Sequence, residues 1–102
     1  MHPTLFAAGL MLCNSVPHLC AGLQGRPFPT PFAKPRGVGD SSPPVNFLWG
    51  TANLLIGLFL LVQHIGAIGL NPDGALLLGG VLVAGGYLSH HFGKVMRDRA
   101  AP

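Results

Sequence analysis

Charge is what this sequence has least of. Charged side chains make up 9% of its 102 residues, whereas soluble domains contain roughly 25%. A soluble domain of this size has a large surface for its volume, and so few charges do not cover it. The shortage indicates that lipid surrounds much of the chain. An apolar content of 49% excludes disorder for most of it, because disordered segments are poor in apolar residues.

Acidic residues and catalytic motifs are also scarce. The three acids, Asp40, Asp73 and Asp98, all lie outside the long apolar segments. Those segments therefore lack paired carboxylates for acid–base catalysis. Nucleophilic triads and phosphate-binding loops are missing from the sequence. The net charge of +3 comes from scattered basic residues without a zinc-finger or RNA-binding pattern. We predict that the protein is not an enzyme and does not bind nucleic acid.

Three long uncharged segments are present instead. They read "TLFAAGLMLCNSVPHLCAGL", "VNFLWGTANLLIGLFLLVQHIGAIGL" and "GALLLGGVLVAGGYLSHHFG". A helix rises about 1.5 Å per residue, so about 20 residues cross a hydrocarbon core of about 30 Å. The sequence predicts an all-α fold: one three-transmembrane-helix bundle over residues 1–102, with helices at about 4–23, 43–70 and 74–95. The first segment lacks the basic start of a signal peptide, so we expect it to be retained.

Local signals mark the ends of the helices. Ser42 before Pro43 predicts a capped helix start. "NPDG", Asn71–Gly74, predicts a tight turn, so helices two and three are expected to form an antiparallel hairpin. Small residues allow helices to approach closely in lipid, within the bundle or between copies of the chain. The packing candidates are Gly50, Gly57, Gly79, Gly80, Gly85 and Gly86.

The basic residues predict an orientation. Three crossings place the loop at 24–42 and the C-terminal tail on one side. That side holds all six basic residues, Arg26, Lys34, Arg36, Lys94, Arg97 and Arg99. Because basic loops are retained in the cytoplasm, we predict an N-terminus outside and a C-terminus inside.

The loop between the first two helices is rich in proline. Six of the ten prolines lie in "GRPFPTPFAKPRGVGDSSPP", and proline stiffens the backbone. Phe28 and Phe32 suit a membrane interface, and the nearby basic residues suit anionic lipid. We predict that one of these two rings anchors the loop against a floor formed by His18 and Trp49. The alternative is a solvated spacer.

The segment "NSVPHLCAGLQGRPFPTPFAKPRGVGDSSPPVNFLWGTANL", Asn14 to Leu54, resembles a family of small uncharacterised bacterial membrane proteins with a "PH…FPTPFA…SSP..N..WG..N" pattern. The resemblance implies a membrane location and no known activity. The predicted location is the inner membrane of a bacterium. The matching positions are Pro17, His18, Phe28, Pro29, Pro31, Phe32, Gly37, Gly39, Ser42, Pro43, Asn46, Trp49, Gly50 and Asn53.

Polar side chains inside the apolar segments form the candidate site, because polar groups in lipid need partners. Asn14 and His18 are four residues apart and share a helix face. Depth along the helices predicts that His18 meets the start of helix two and His90 or His91 at one level. The predicted polar cluster is Asn14, His18, Asn46, Trp49, Asn53 and His90.

Three functions are consistent with this cluster. Interhelical hydrogen bonds favour a structural or accessory subunit that packs with itself or with a larger membrane complex. The first alternative is a small oligomeric transporter or channel lined by Asn14, His18, Asn53 and His64. The second is a metal or haem held between His18 and His90, although these histidines lack a ligand spacing. No cofactor is predicted.

Overall fold

A computed structural model describes residues 1–101. Its three long helices each have the length and apolar composition needed to cross a membrane, which confirms the predicted helical class. The loop adds a short antiparallel pair of strands, so the fold is not purely α-helical. The elements are α1 (Thr4–Leu23), β1 (Phe28–Pro29), β2 (Asp40–Ser41), α2 (Pro43–Val62), a short 3-10 helix (Ile65–Ala67) and α3 (Pro72–Ala100).

The helix starts follow from their caps. Ser42 accepts a hydrogen bond from the Val45 amide at 3.4 Å and begins α2. Asn71 accepts one from the Gly74 amide at 2.9 Å and begins α3. Each cap is followed by a proline, whose missing amide hydrogen costs nothing in a first turn.

Two predicted helix ends are wrong. α2 ends at Val62 rather than at Leu70, and the chain turns through the short 3-10 helix instead. That stretch is apolar, so its composition does not separate helix from turn, and Gly66 and Gly69 lower its helix propensity. α3 continues to Ala100 rather than ending near residue 95, because the stretch at 94–100 contains no proline or glycine that would end the helix.

The central helix is α1. It packs against α2 on one side and α3 on the other, while α2 and α3 scarcely touch each other within residues 1–101. The predicted α2–α3 hairpin therefore does not form as a packed pair, although a short connection joins these helices. The glycines explain why α1 is central, because they lie where α2 and α3 each approach α1 most closely.

Glycines permit both crossings. A methyl group added to Gly50 would lie 2.8 Å from Leu19 Cγ, and one added to Gly57 would lie 2.8 Å from Leu12. On the other side of α1, Gly9 and Gly80 face each other, and a methyl group on either would lie 3.0 Å from the partner's Cα. Such distances leave no room for a side chain, so these glycines set the separation of the helices.

The remaining candidate glycines differ from these. Added methyl groups at Gly79 and Gly85 would make ordinary contacts, at 3.8 Å from the Phe6 ring and 3.6 Å from Cys13 Sγ. Around Gly86, no atom of the described chain other than the adjacent residues and the helix's own backbone lies within 4 Å of the added methyl group. Gly86 therefore belongs to the outer surface of α3.

The outer faces of α2 and α3 are apolar. Leu55, Phe59 and Leu82 are each more than half exposed, while Asn46 and Asn53 are buried. A soluble monomer rarely exposes so much continuous apolar surface.

The structure has two distinct ends. At the turn end, the His2 amide donates to Asp73 Oδ1 at 2.6 Å, and the His2 ring stacks on His64 at 4.1 Å between centroids. At the loop end, Arg99 pairs with Asp40 at 2.9 Å. The loop and the C-terminal part of α3 therefore lie at the same end.

Substituting the crossing glycine should damage the fold, while the outer glycine should tolerate the same change. We expect Gly80→Leu to lower the stability by at least the 1–3 kcal/mol or so that overpacking typically costs. We expect Gly86→Leu, the matched control on the same helix, to leave the stability of the single chain within about 0.5 kcal/mol. Thermal unfolding in a detergent that keeps the chain monomeric measures both stabilities without a contribution from assembly. Equal melting temperatures for the two variants would contradict the assigned α1–α3 crossing.

Candidate functional site

Asn46 joins three parts of the chain at the loop end. Its side chain lies in the first turn of α2 and is 0% exposed. His18 Nδ1 of α1 lies 2.8 Å from its Oδ1, and its Nδ2 donates to the Phe28 carbonyl of β1 at 2.9 Å. The carbonyls of Ser41 and Ser42 lie 3.2 Å from the same nitrogen. One carboxamide therefore connects α1, α2 and both strands.

The network fixes the state of His18. Backbone carbonyls only accept hydrogen bonds, so the Asn46 nitrogen must face them and its oxygen must face His18. His18 Nδ1 therefore carries a hydrogen and donates it. In the neutral ring, Nε2 is then an acceptor, and it makes no hydrogen bond to any other residue in the described part of the chain.

Aromatic rings enclose His18. The rings of Phe28, Trp49 and Phe92 stand edge-on to it at 5.6, 6.4 and 6.3 Å. Phe28 also packs on Phe92 of α3 at 4.7 Å. The two proposed anchors thus differ, because Phe28 sits among these rings whereas Phe32 is 64% exposed and meets only the edge of Trp49, at 5.1 Å. Phe28 is the anchor that the geometry favours.

A second polar pair lies further from the loop. Asn14 Nδ2 of α1 donates to Asn53 Oδ1 of α2 at 2.9 Å, and Asn53 Nδ2 donates to the Trp49 carbonyl at 2.8 Å. The bond between Asn14 and Asn53 joins α1 to α2, and both the oxygen and the nitrogen of the Asn53 amide have a hydrogen-bond partner. The predicted cluster thus contains two separate hydrogen-bonded pairs, His18 with Asn46 and Asn14 with Asn53.

His90 does not join them. It is exposed on α3, whereas His91 lies with its Nε2 2.6 Å from the Gly37 carbonyl of the loop. Successive helical residues point about 100° apart. The stripe of α3 that faces inward is Gly80, Ala84, Leu88 and then His91, and this spacing is the sequence signal that selects His91 over His90.

Thr30 was not among the predicted residues, yet it organises the loop. It is 1% exposed. Its carbonyl accepts from the amides of Ala33 and Gly37 at 3.1 and 3.0 Å, and its hydroxyl accepts from the Phe32 amide at 3.1 Å. Gly37 has a φ of +66°, which favours glycine. The loop is therefore a closed, internally bonded structure.

A cavity of about 280 Å³ lies between this loop, α1 and α3. Its walls combine polar and aromatic side chains, among them Asn14, His18, Arg36, Trp49, Tyr87 and His91. The Trp49 Nε1 atom is buried and has no hydrogen-bond partner within residues 1–101. The cavity is thus a candidate for binding a small polar group.

The four residues of the proposed channel lie at two levels of the single chain. His64 stacks on His2 at the turn end. Nearer the loop, Asn14 bonds to Asn53 and His18 bonds to Asn46. His18 is buried and His90 is exposed, so they do not form a pair. Among residues 1–101, no group of three or more potential ligand side chains is arranged for a metal ion.

Comparisons with known proteins gave no relative. No protein-family model, curated protein or solved structure matches this chain. The function is therefore argued from the geometry of the site.

The loop anchor can be tested by proteolysis. Within the loop, trypsin cleavage is expected only after Arg36, because Arg26 and Lys34 precede prolines. We expect Phe28→Ala to raise the cleavage rate at least tenfold, which corresponds to about 1.4 kcal/mol. This is below the usual cost of about 3–5 kcal/mol for deleting a fully buried phenylalanine, because Phe28 is half-buried. We expect the control Phe32→Ala to change the rate less than threefold.

Cleavage of a transiently opened segment follows the population of its open form, so the ratio of rates reports anchoring directly. Rapid cleavage of the unmodified chain that neither substitution alters would show a free spacer.

Proposed function

We propose that this protein is a three-span integral membrane protein that acts as a non-catalytic accessory subunit, packing with itself or with a larger membrane complex. The three apolar helices and their exposed apolar faces support the membrane location. Water does not favour such a surface, whereas lipid does. The resemblance of the loop region to small bacterial membrane proteins also supports a membrane location, and we propose the inner membrane of a bacterium.

The orientation in this proposal is N-terminus outside and C-terminus cytoplasmic. The hydrogen bonds between the loop and α3 bring both to one end, and all six lysines and arginines belong to these two segments. The turn end carries His2, His64 and Asp73. Under the positive-inside rule, the loop end faces the cytoplasm.

The observation that carries the accessory role is the exposure of α3. In the apolar 18-residue stretch of α3, 11% is buried within the chain, whereas in the corresponding stretch of α1 the buried share is 33%. Leu78, Leu82 and Gly86 follow one another at helical spacing on its outer face, and Gly86 has open space around it. A small residue among exposed leucines is the type of surface through which helices associate in lipid.

The polar interior also favours a structural role. The side-chain amides of Asn46 and Asn53 form hydrogen bonds with other groups of the same chain. The bonds of Asn46 hold the loop against α1 and α2. α3 has 29 residues and is about 44 Å long, so it extends beyond a hydrocarbon core of about 30 Å. Its basic last turns and the fixed loop form one surface for contact with a partner.

The orientation is tested with a reporter at the C-terminal end. We expect a periplasm-active enzyme fused there to be inactive, and a cytoplasm-active one to be active. The control carries the same reporters in the turn at residues 69–71, where the activities should be reversed. Activity of the periplasm-active enzyme in the C-terminal fusion would contradict the proposed orientation.

The accessory role is tested by the size of the assembly in mild detergent. We expect the unmodified chain to elute with further copies or with a companion protein, and Gly86→Leu to reduce that assembly at least tenfold. Leu55→Phe adds volume on the exposed face of α2 and serves as the matched control, which should leave the assembly intact. An unmodified chain that is monomeric and free of companions after mild solubilisation would contradict the role.

A further inference from the structure

An apolar groove lies next to the cavity at the loop end. The groove has a volume of about 330 Å³, lies between α1 and α3, and includes Leu10, Met11, Val83 and Ala84. Asn14, Tyr87 and Leu88 line both the cavity and the groove, so the two are neighbours. From His18 to Leu10, the cavity and the groove together follow α1 for about 12 Å. A chamber that has a few polar groups in its wall, next to an apolar groove, matches the two parts of an amphiphile.

The size of the cavity limits the polar group that it accepts. Its 280 Å³ lies just below the range of about 300–1,000 Å³ that is typical of small-molecule pockets. It therefore suits a headgroup rather than a large solute. The groove, of similar volume, suits a length of hydrocarbon chain.

The charge of the cavity selects an anion. Arg36 lines it and, within residues 1–101, forms a salt bridge with none of the three acids, Asp40, Asp73 and Asp98. No acidic side chain is among the lining residues. Trp49 belongs to the same wall, and its indole N–H is buried and has no acceptor in the described chain. The Arg36 guanidinium is therefore the cationic donor of this cavity, and an oxyanion supplies acceptors for it.

We propose that this cavity binds the phosphate headgroup of an anionic phospholipid and that the α1–α3 groove takes one of its acyl chains. Arg36 provides the charge-assisted hydrogen bond, and the groove covers the chain. The proposal rests on the proposed membrane location, which places the cavity at the cytoplasmic headgroup level. Anionic lipids concentrate in that leaflet and attract basic segments. A zwitterionic phosphatidylcholine carries its own cation and is the weaker ligand.

The only tryptophan of the chain, Trp49, reports on the cavity. The full chain is reconstituted in phosphatidylcholine vesicles with increasing fractions of phosphatidylglycerol that carries bromine on its acyl chains. Bromine quenches a nearby indole, so quenching measures occupancy beside Trp49. We expect phosphatidylglycerol to be preferred over brominated phosphatidylcholine by about tenfold, which corresponds to about 1.4 kcal/mol.

Three variants separate a built site from general attraction. Arg36→Gln should abolish the preference. Lys34→Gln removes the same charge from the same loop, outside the cavity lining, and should retain it. Val83→Phe adds volume at an exposed position in the groove and should weaken quenching by the brominated chain at least threefold while Arg36 remains in place.

The outcomes are distinct. Equal quenching by the two brominated lipids overturns the proposal while leaving the membrane location intact, and so does an equal loss of preference in Arg36→Gln and Lys34→Gln. Displacement of the lipid by soluble glycerol phosphate would assign the cavity to a free anion instead. Quenching by neither lipid would mean that the chain does not insert, which contradicts the proposed function itself.

Discussion

The hydrogen bond between Asn46 and His18 is the contact on which the rest of the site depends. The amide of Asn46 has one acceptor and one donor group; the first holds α1 and the second holds the loop. Because the Asn46 side chain is fully buried, water cannot replace either hydrogen-bond partner. Losing either contact leaves an unsatisfied buried group, which costs about 1–3 kcal/mol. The ring cage around His18 and the position of Phe28 follow from this connection.

The central position of α1 follows from a second constraint, the glycine crossings. Gly9 and Gly80 bring α3 against one face of α1, and Gly50 and Gly57 bring α2 against another. With α1 between them, α2 and α3 leave wide outer faces. The cavity and groove on the α3 side, and the exposed stripe on α3 itself, are both consequences of this layered arrangement. The proposed lipid and the proposed partner therefore occupy different faces of one helix.

The sequence predicted the features that depend on local chemistry. Ser42 and Asn71 mark the helix starts because capping is a local interaction, and the length of the apolar segments identifies three helices. The end of α2 was not predictable, since the stretch from Ile65 to Leu70 is apolar in either conformation. Depth along a helix also suggested that His18 and Asn46 lie at one level. Which face a residue presents depends on the neighbouring helix, and for that reason His91, not His90, meets the loop.

The central claim is that the loop is held in one structure by its attachment to Asn46. Amide hydrogen exchange measures this most directly, because the amides of Phe32, Ala33 and Gly37 are bonded within the loop to Thr30. We expect these amides to be protected in the unmodified chain and to lose their protection in Asn46→Ala, while the middle of α1 stays protected. Exchange of these loop amides at the rate of an unstructured peptide in the unmodified chain would contradict this claim.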